Sequence, residues 1–123
     1  MDNHSYKILV IEDEKPLSHA LEIRFTNEGY TVTVANDGQA ALDIISTEHY
    51  DVALLDLMMP VMDGFQVLQR AMKLPTPPQF LVLSNITQPD DIDKALQYGA
   101  KKFLVKSDTT LASIVYEVEQ LLK

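Results

Sequence analysis

The sequence predicts an α/β domain whose parallel sheet is covered by helices on both faces. Two observations carry that expectation. Five short apolar or β-branched runs alternate strictly with five segments of helical spacing, the pattern of repeated βα units. Three of those runs also deliver ionisable residues at their C-terminal ends. Ile8 to Ile11 leads into Glu12 and Asp13, Val52 to Leu55 into Asp56, and Phe103 to Val105 into Lys106. In an open parallel sheet those ends share one edge, where ligands bind. Each crossover is expected to be right-handed.

Tyr6 to Ile11 reads as the first strand. The next segment carries Pro16 near its start, where a missing N–H costs nothing, then Leu17, Ala20, Leu21 and Phe25 at helical spacing, with Gly29 as its stop. Thr31-Val32-Thr33-Val34-Ala35 is the second strand. Asn36 or Asp37 caps a helix with Ala41, Leu42 and Ile45 on one side. The third strand is the run from Asp51 that ends at Asp56, apolar enough to be buried on both faces. Asp63 caps a helix that aligns Phe65, Leu68 and Met72, and Pro75-Thr76-Pro77-Pro78 forbids its continuation. Phe80-Leu81-Val82-Leu83 is the fourth strand. Pro89 opens a helix with Ile92, Ala95 and Leu96 facing inward, ended by Gly99. After the fifth strand, Phe103 to Val105, Asp108 or Thr109 starts a helix with Leu111, Ile114, Val115, Val118, Leu121 and Leu122 on one stripe.

The 123 residues suit one domain with a single core, and 46% apolar with 23% charged residues is an ordinary globular balance. No apolar stretch approaches the roughly 20 residues of a membrane span. The first five residues lack the basic and apolar regions of a signal peptide. Cysteine is absent, which excludes disulfides and thiolate metal sites and fits a reducing cytoplasm. A net charge of −8 is the wrong sign for nonspecific nucleic-acid binding. His4, His19 and His49 show no ligand-like spacing and are expected in solvent. No Gly-x-Gly-x-x-Gly or P-loop is present, which argues against a nucleotide or flavin domain.

An unpaired carboxylate is expensive beside a buried strand, so Asp56 is expected to face a crevice and hold a partner. Together with Glu12 and Asp13 it makes an oxygen-rich, strongly negative cluster. Singly, each piece has a plainer reading: acids in a helix's first turn, an exposed Lys106, a capping Ser84, a core Phe103.

In combination the chain resembles the receiver domain of two-component response regulators. The matching pieces are Glu12-Asp13, Asp56-Leu57-Met58-Met59-Pro60-Val61-Met62-Asp63-Gly64, Ser84 and Lys106, each after a strand and in the right order. The resemblance covers residues 1–123 as a single receiver domain with no output domain in this chain. It implies a flavodoxin-like (βα)5 fold with strand order 2-1-3-4-5. It implies that Asp56 accepts a phosphoryl group from a histidine kinase or phosphotransfer protein, in a Mg²⁺-dependent reaction the chain itself catalyses, with slow dephosphorylation. Asp13 and Asp56 would bind Mg²⁺ directly, Glu12 mainly through water, and the backbone carbonyl of Met58 would complete the protein ligands. Lys106 would neutralise phosphoryl oxygens. Ser84 and Phe103 would form the switch, coupling the site to the face made by the fourth helix, fifth strand and fifth helix, and so to a downstream target or output domain. No dedicated enzyme activity, direct nucleic-acid binding or membrane contact is implied, and the expected location is the cytoplasm.

The chain departs from the pattern at several places. Glu12 stands for the more usual Asp. Ser107 follows Lys106 where proline is usual, so a cis peptide there is not expected. Asn85 follows Ser84 where Ala or Gly is common; it is placed to narrow access to Asp56 or to bond the phosphoryl group. Met58 and Ile86 are apolar and poor at orienting an attacking water, which predicts a long-lived phosphorylated form. Lys101-Lys102 differs from the acidic stretch that helps receivers of the winged-helix subfamily dimerise. The competing readings are a receiver-like binding module that acts without phosphorylation and, more weakly, a metal-dependent phosphohydrolase, which would want a second acid two residues after Asp56.

Overall fold

A computed structural model describes residues 6–123. Its strands are β1 (Lys7–Ile11), β2 (Thr31–Ala35), β3 (Val52–Leu55), β4 (Gln79–Ser84) and β5 (Lys102–Val105). The helices are α1 (Lys15–Asn27), α2 (Gly38–Thr47), α3 (Gly64–Ala71), α4 (Pro89–Gln97) and α5 (Leu111–Leu122), with a 3-10 turn at Lys106–Asp108. All strand pairs are parallel and the order is β2-β1-β3-β4-β5, the flavodoxin-like arrangement expected.

Alternation along the central strands divides the core in two. Ile8 and Val10, Val52 and Leu54, and Leu81 and Leu83 pack with Leu21 and Phe25 of α1 and Ile114, Val115 and Val118 of α5. Leu9 and Ile11, Ala53 and Leu55, and Phe80 and Val82 turn the other way, onto Ala41, Ile45, Val67, Leu68, Ala71 and Ala95 of α2, α3 and α4. Side chains two apart share a face, so these strands must be apolar throughout.

The punctuation follows local chemistry. Pro16 and Pro89 lie in the first turns of α1 and α4. Gly29 and Gly99 follow those helices at φ 100° and 117°, a region that costs an L side chain dearly. Asp37 caps α2 by accepting the Ala40 N–H at 2.7 Å. Asp63 and Gln66 form a reciprocal capping box at the start of α3.

Several expectations need correction. β1 begins at Lys7, one residue later than expected. Asn36 is not the α2 cap. The cap of α5 is Thr110, which accepts the Ser113 N–H at 3.1 Å, and not Asp108 or Thr109. The reason is the intervening 3-10 turn, which uses Asp108, while Thr109 turns its hydroxyl onto the Val105 carbonyl at 2.7 Å. Met72 caps the end of α3 and is 38% exposed; the buried place belongs to Val67. Leu96 is 43% exposed because Ala95 alone takes the fully buried position of α4. His19 and His49 are exposed as expected, and His4 lies outside the described residues. The Lys106–Ser107 peptide is trans. Among the described residues no helix is long and apolar enough to cross a membrane.

These placements separate two substitutions. Leu54→Ala, in the middle of the sheet, should destabilise the fold by about 2–5 kcal/mol. Leu96→Ser should cost less than about 1 kcal/mol. Urea unfolding of both variants against the parent checks the difference.

Candidate functional site

The topology gathers the ionisable residues at one edge. Glu12 and Asp13 follow β1, Asp56 follows β3, Ser84 ends β4 and Lys106 follows β5. The backbone continues to pair beyond the strands. Glu12 N–H donates to the Ala35 carbonyl at 3.0 Å and Asp56 N–H to the Ile11 carbonyl at 3.0 Å. Both acids are therefore set by the sheet and not by flexible loop. Glu12 is 2% exposed, Asp56 4% and Ser84 0%.

Lys106 crosses to the two buried acids. Its Nζ lies 2.8 Å from Glu12 Oε1 and 3.1 Å from Asp56 Oδ2, with Glu14 Oε2 farther out at 3.8 Å. Carboxylate oxygens of Glu12, Asp13 and Asp56 all lie within 4.8 Å of one another. A cavity of about 350 Å³ opens above them, lined by Asp13, Glu14, Asp56, Met58, Asn85 and Lys106. Two hollows elsewhere, about 370 Å³ beside Tyr98 and about 420 Å³ beside Val61, bring no buried carboxylates and cation together.

Charge burial governs the protonation of this cluster. Burial pushes the Glu12 carboxyl up to about 7, against the pull of its hydrogen bonds from Lys106 and from the Glu14 N–H, and the Asp56 charge adds to the rise. Burial works against the charged form of Lys106 as well. The Glu12 hydrogen bond and the charges of Asp56 and Glu12 outweigh it, so the lysine sits above its ordinary value and stays an ammonium.

The remaining bonds fix the acids' orientation. Glu12 Oε2 accepts the Glu14 N–H at 3.1 Å, so both Glu12 oxygens are engaged. Asp56 Oδ1 accepts the Met58 N–H at 3.1 Å, leaving Oδ2 to Lys106. Ser84 Oγ accepts the Ile86 N–H at 3.4 Å. Phe103, in β5, is half-buried and packs against the α2-α3-α4 side of the core. Asn85 does not simply project over Asp56: its Oδ1 accepts the Ser107 N–H at 2.9 Å.

Two supporting residues escaped the sequence reading. Asn36 Nδ2 donates to the Glu12 carbonyl at 2.9 Å and lies 3.4 Å from Ser18 Oγ, tying the turn after β2 to the acid pair. Its position between a strand and a capping Asp was the only available signal, and it pointed to capping. Gly64 packs behind Asp56. A Cβ there would lie 2.5 Å from the Asp56 carbonyl oxygen and 2.7 Å from Leu57 Cα, both backbone atoms. Gly64 stands in the quoted run, but only the packing of α3 on β3 explains it.

Residues 8–115 match the family model described as response regulator receiver domain. The chain is 33% identical over 115 residues to response regulator ArlR of Staphylococcus epidermidis, covering 94% of this chain and 48% of that protein. It thus spans about half the length of that relative. Among solved structures, the Francisella response regulator 1452 receiver domain superposes with a TM-score of 0.88 at 30% identity, covering 95% of this chain and 96% of the other. Response regulator TrrA of Thermotoga maritima, solved in complex with Mg²⁺-BeF, superposes with a TM-score of 0.83 at 26% identity, covering 94% and 98%.

Gly64→Ala should force α3 away from the backbone at Asp56 and destabilise the fold by about 1–3 kcal/mol. Thermal unfolding checks the loss, and amide chemical-shift changes concentrated at Asp56 and Leu57 check its origin.

Proposed function

The chain belongs to the family of response regulator receiver domains of two-component systems, and we propose that within it this chain takes a phosphoryl group onto Asp56 from a histidine kinase or phosphotransfer protein. One observation carries the reading: a buried Asp56 whose Oδ2 meets the Lys106 ammonium at 3.1 Å, beside two more acids and under an open cavity.

The step balances as a displacement at phosphorus. An Asp56 carboxylate oxygen forms the new O–P bond while the P–N bond of the phosphohistidine breaks. The electron pair leaves on the imidazole, and the product is an acyl phosphate. Such transfer depends mostly on positioning and charge neutralisation. The Met58 N–H holds one Asp56 oxygen, which fixes the plane of the carboxylate. Lys106 then faces the incoming phosphoryl oxygens as a point charge. The Ser84 hydroxyl, buried beside them, is the neutral donor of the site.

The donor set fits Mg²⁺. An octahedral ion with bonds of about 2.1 Å spans at most about 4.2 Å between ligand oxygens, and the carboxylate oxygens lie within 4.8 Å of one another, within reach of such an ion after small side-chain movements. Asp13, Asp56 and the Met58 carbonyl would hold it directly. Asp13 and Asp56 line the cavity and Glu12, 2% exposed, does not, which supports an indirect, water-mediated role for Glu12. When bound, the ion would neutralise charge on the carboxylates and on the phosphoryl oxygens. The similar Thermotoga chain was solved in complex with Mg²⁺-BeF, which supports Mg²⁺ as the ion.

Ser84 and Phe103 lie on adjacent strands, since Ser84 pairs with Val105 at the end of β4 and β5. A shift of Ser84 toward a phosphoryl group would free space for Phe103, and this would carry the signal to the α4-β5-α5 face. That face would meet the downstream target or output domain, in the cytoplasm.

Three outcomes are expected. Treatment with a small phosphodonor and Mg²⁺ should add one phosphoryl group by intact mass, and Asp56→Asn should abolish the gain while keeping the fold. No gain in the parent would leave a binding module that acts without phosphorylation, and mapping the group to Ser84 would overturn the role of Asp56. Asp13→Asn should weaken Mg²⁺ binding by calorimetry and raise the unfolding midpoint of the metal-free protein, because it relieves repulsion among the acids. The phosphorylated parent should decay slowly. Met58 is exposed at the cavity and Ile86 is half-buried against the apolar core, both apolar, while the Asn85 carbonyl is committed to Ser107. A Met58→Asn, Ile86→Glu double variant should therefore decay faster when followed by mass spectrometry.

A further inference from the structure

We propose that Asn85 is a positioning residue for Lys106, acting through the hydrogen bond that its side-chain carbonyl takes from the Ser107 N–H. The effect on rate rests on the phosphoryl-acceptor reading above; the clamp itself stands on the geometry of the unphosphorylated protein.

Strands β4 and β5 pair as far as Ser84 and Val105. One residue later the chains part. Asn85 enters the loop to α4, and Lys106 enters the 3-10 turn. The first N–H groups of such a turn have no acceptor within it. Ser107 N–H finds one in Asn85 Oδ1, 2.9 Å away and 22 residues distant in sequence. A backbone N–H can only donate, so this contact also fixes which end of the Asn85 amide faces the turn.

On the other side of Lys106, the Val105 carbonyl accepts the Thr109 hydroxyl at 2.7 Å. The lysine backbone is therefore held before and after its Cα. This matters because the ammonium reaches Glu12 and Asp56 through a flexible four-carbon stem, and an unpinned backbone would add to that freedom. Asn85 itself is exposed, so packing does not dictate its identity. It also lines the cavity above Asp56, within the same group of residues as Lys106. The bond needs both partners, because proline at 107 would carry no N–H to donate. Asn85 and Ser107, two positions where the chain departs from the pattern it resembles, are thus the two halves of one contact.

The test is a double-mutant cycle on the 123-residue chain with Asn85→Ala, Ser107→Pro and the two combined. Three quantities are read: the unfolding midpoint, the NMR resonance of the Lys106 side-chain ammonium, and the rate of phosphorylation by phosphoramidate at saturating Mg²⁺. Asn85→Ala should leave the unfolding midpoint near the parent's and shift the Lys106 resonance. It should lower the maximal phosphorylation rate about three- to tenfold with the phosphoramidate half-saturation unchanged. Ser107→Pro also restricts the backbone of Lys106, so the decisive comparison is made within that background. There Asn85→Ala has no bond left to remove and should change neither the resonance nor the rate. An unshifted Lys106 resonance in Asn85→Ala, or a further loss of rate when it is added to Ser107→Pro, overturns the proposal. A parent that takes no phosphoryl group defeats the phosphoryl-acceptor reading, and the ammonium resonance still decides the clamp.

Discussion

Lys106 puts an ammonium between Glu12 and Asp56, two carboxylates that are almost wholly removed from solvent. Burying either acid alone would carry a heavy desolvation cost. The lysine comes from β5 at one end of the sheet, Asp56 from central β3 and Glu12 from its neighbour β1. The cluster therefore depends on the register of the whole sheet. Ile11 pairs with Leu55, so Glu12 and Asp56 emerge at the same level. Leu55 pairs with Val82 and Val82 with Phe103, so β4 and β5 run two residues farther before Lys106 leaves the sheet, and its long side chain spans that offset to reach both acids.

The rest of the fold keeps that edge in place despite its charge. Two apolar layers clamp the central strands from both sides. The β3–α3 loop is held at its far end by the Asp63–Gln66 capping box and by the close approach of Gly64 to the Asp56 backbone. Between these anchors Val61 adopts φ 68° with its side chain fully exposed, an unfavourable conformation for a β-branched residue. The strain sits in the loop between Asp56 and α3 and is sustained by the ordered structure on either side of it. The acids repel one another, and among the described residues Lys106 is the one cation placed between them, so the proposed Mg²⁺ would relieve charge at this edge.

Asn85 and Ser107 illustrate how departures from a pattern acquire meaning. Taken in sequence they are two unrelated substitutions, one adding bulk near Asp56 and one removing a proline. In the fold they meet, and the carbonyl end of the Asn85 amide is turned toward the Ser107 N–H. The same holds for Asn36, which looks like a helix cap and is a strut under Glu12, and for Thr110, which caps α5 because a 3-10 turn had already used the residues before it.

Local, periodic facts were readable from the residues alone. Strands buried on both faces must be continuously apolar, helices must show their inward stripe, and proline, glycine and capping aspartate mark the ends, so the elements, their parallel arrangement and the charged strand ends were all legible. The resemblance to a known family added the strand order and named Asp56, Asp13 and Lys106. Tertiary structure alone decided which groups touch. That Lys106 bridges Glu12 and Asp56, that both Glu12 oxygens are engaged, that Asn85 reaches Ser107 and that Gly64 has no room for a Cβ are contacts between segments far apart in the chain. Leu96 and Met72 were misplaced for the same reason: helical spacing gives the direction of a side chain, but the width of the face that is covered depends on what packs against it.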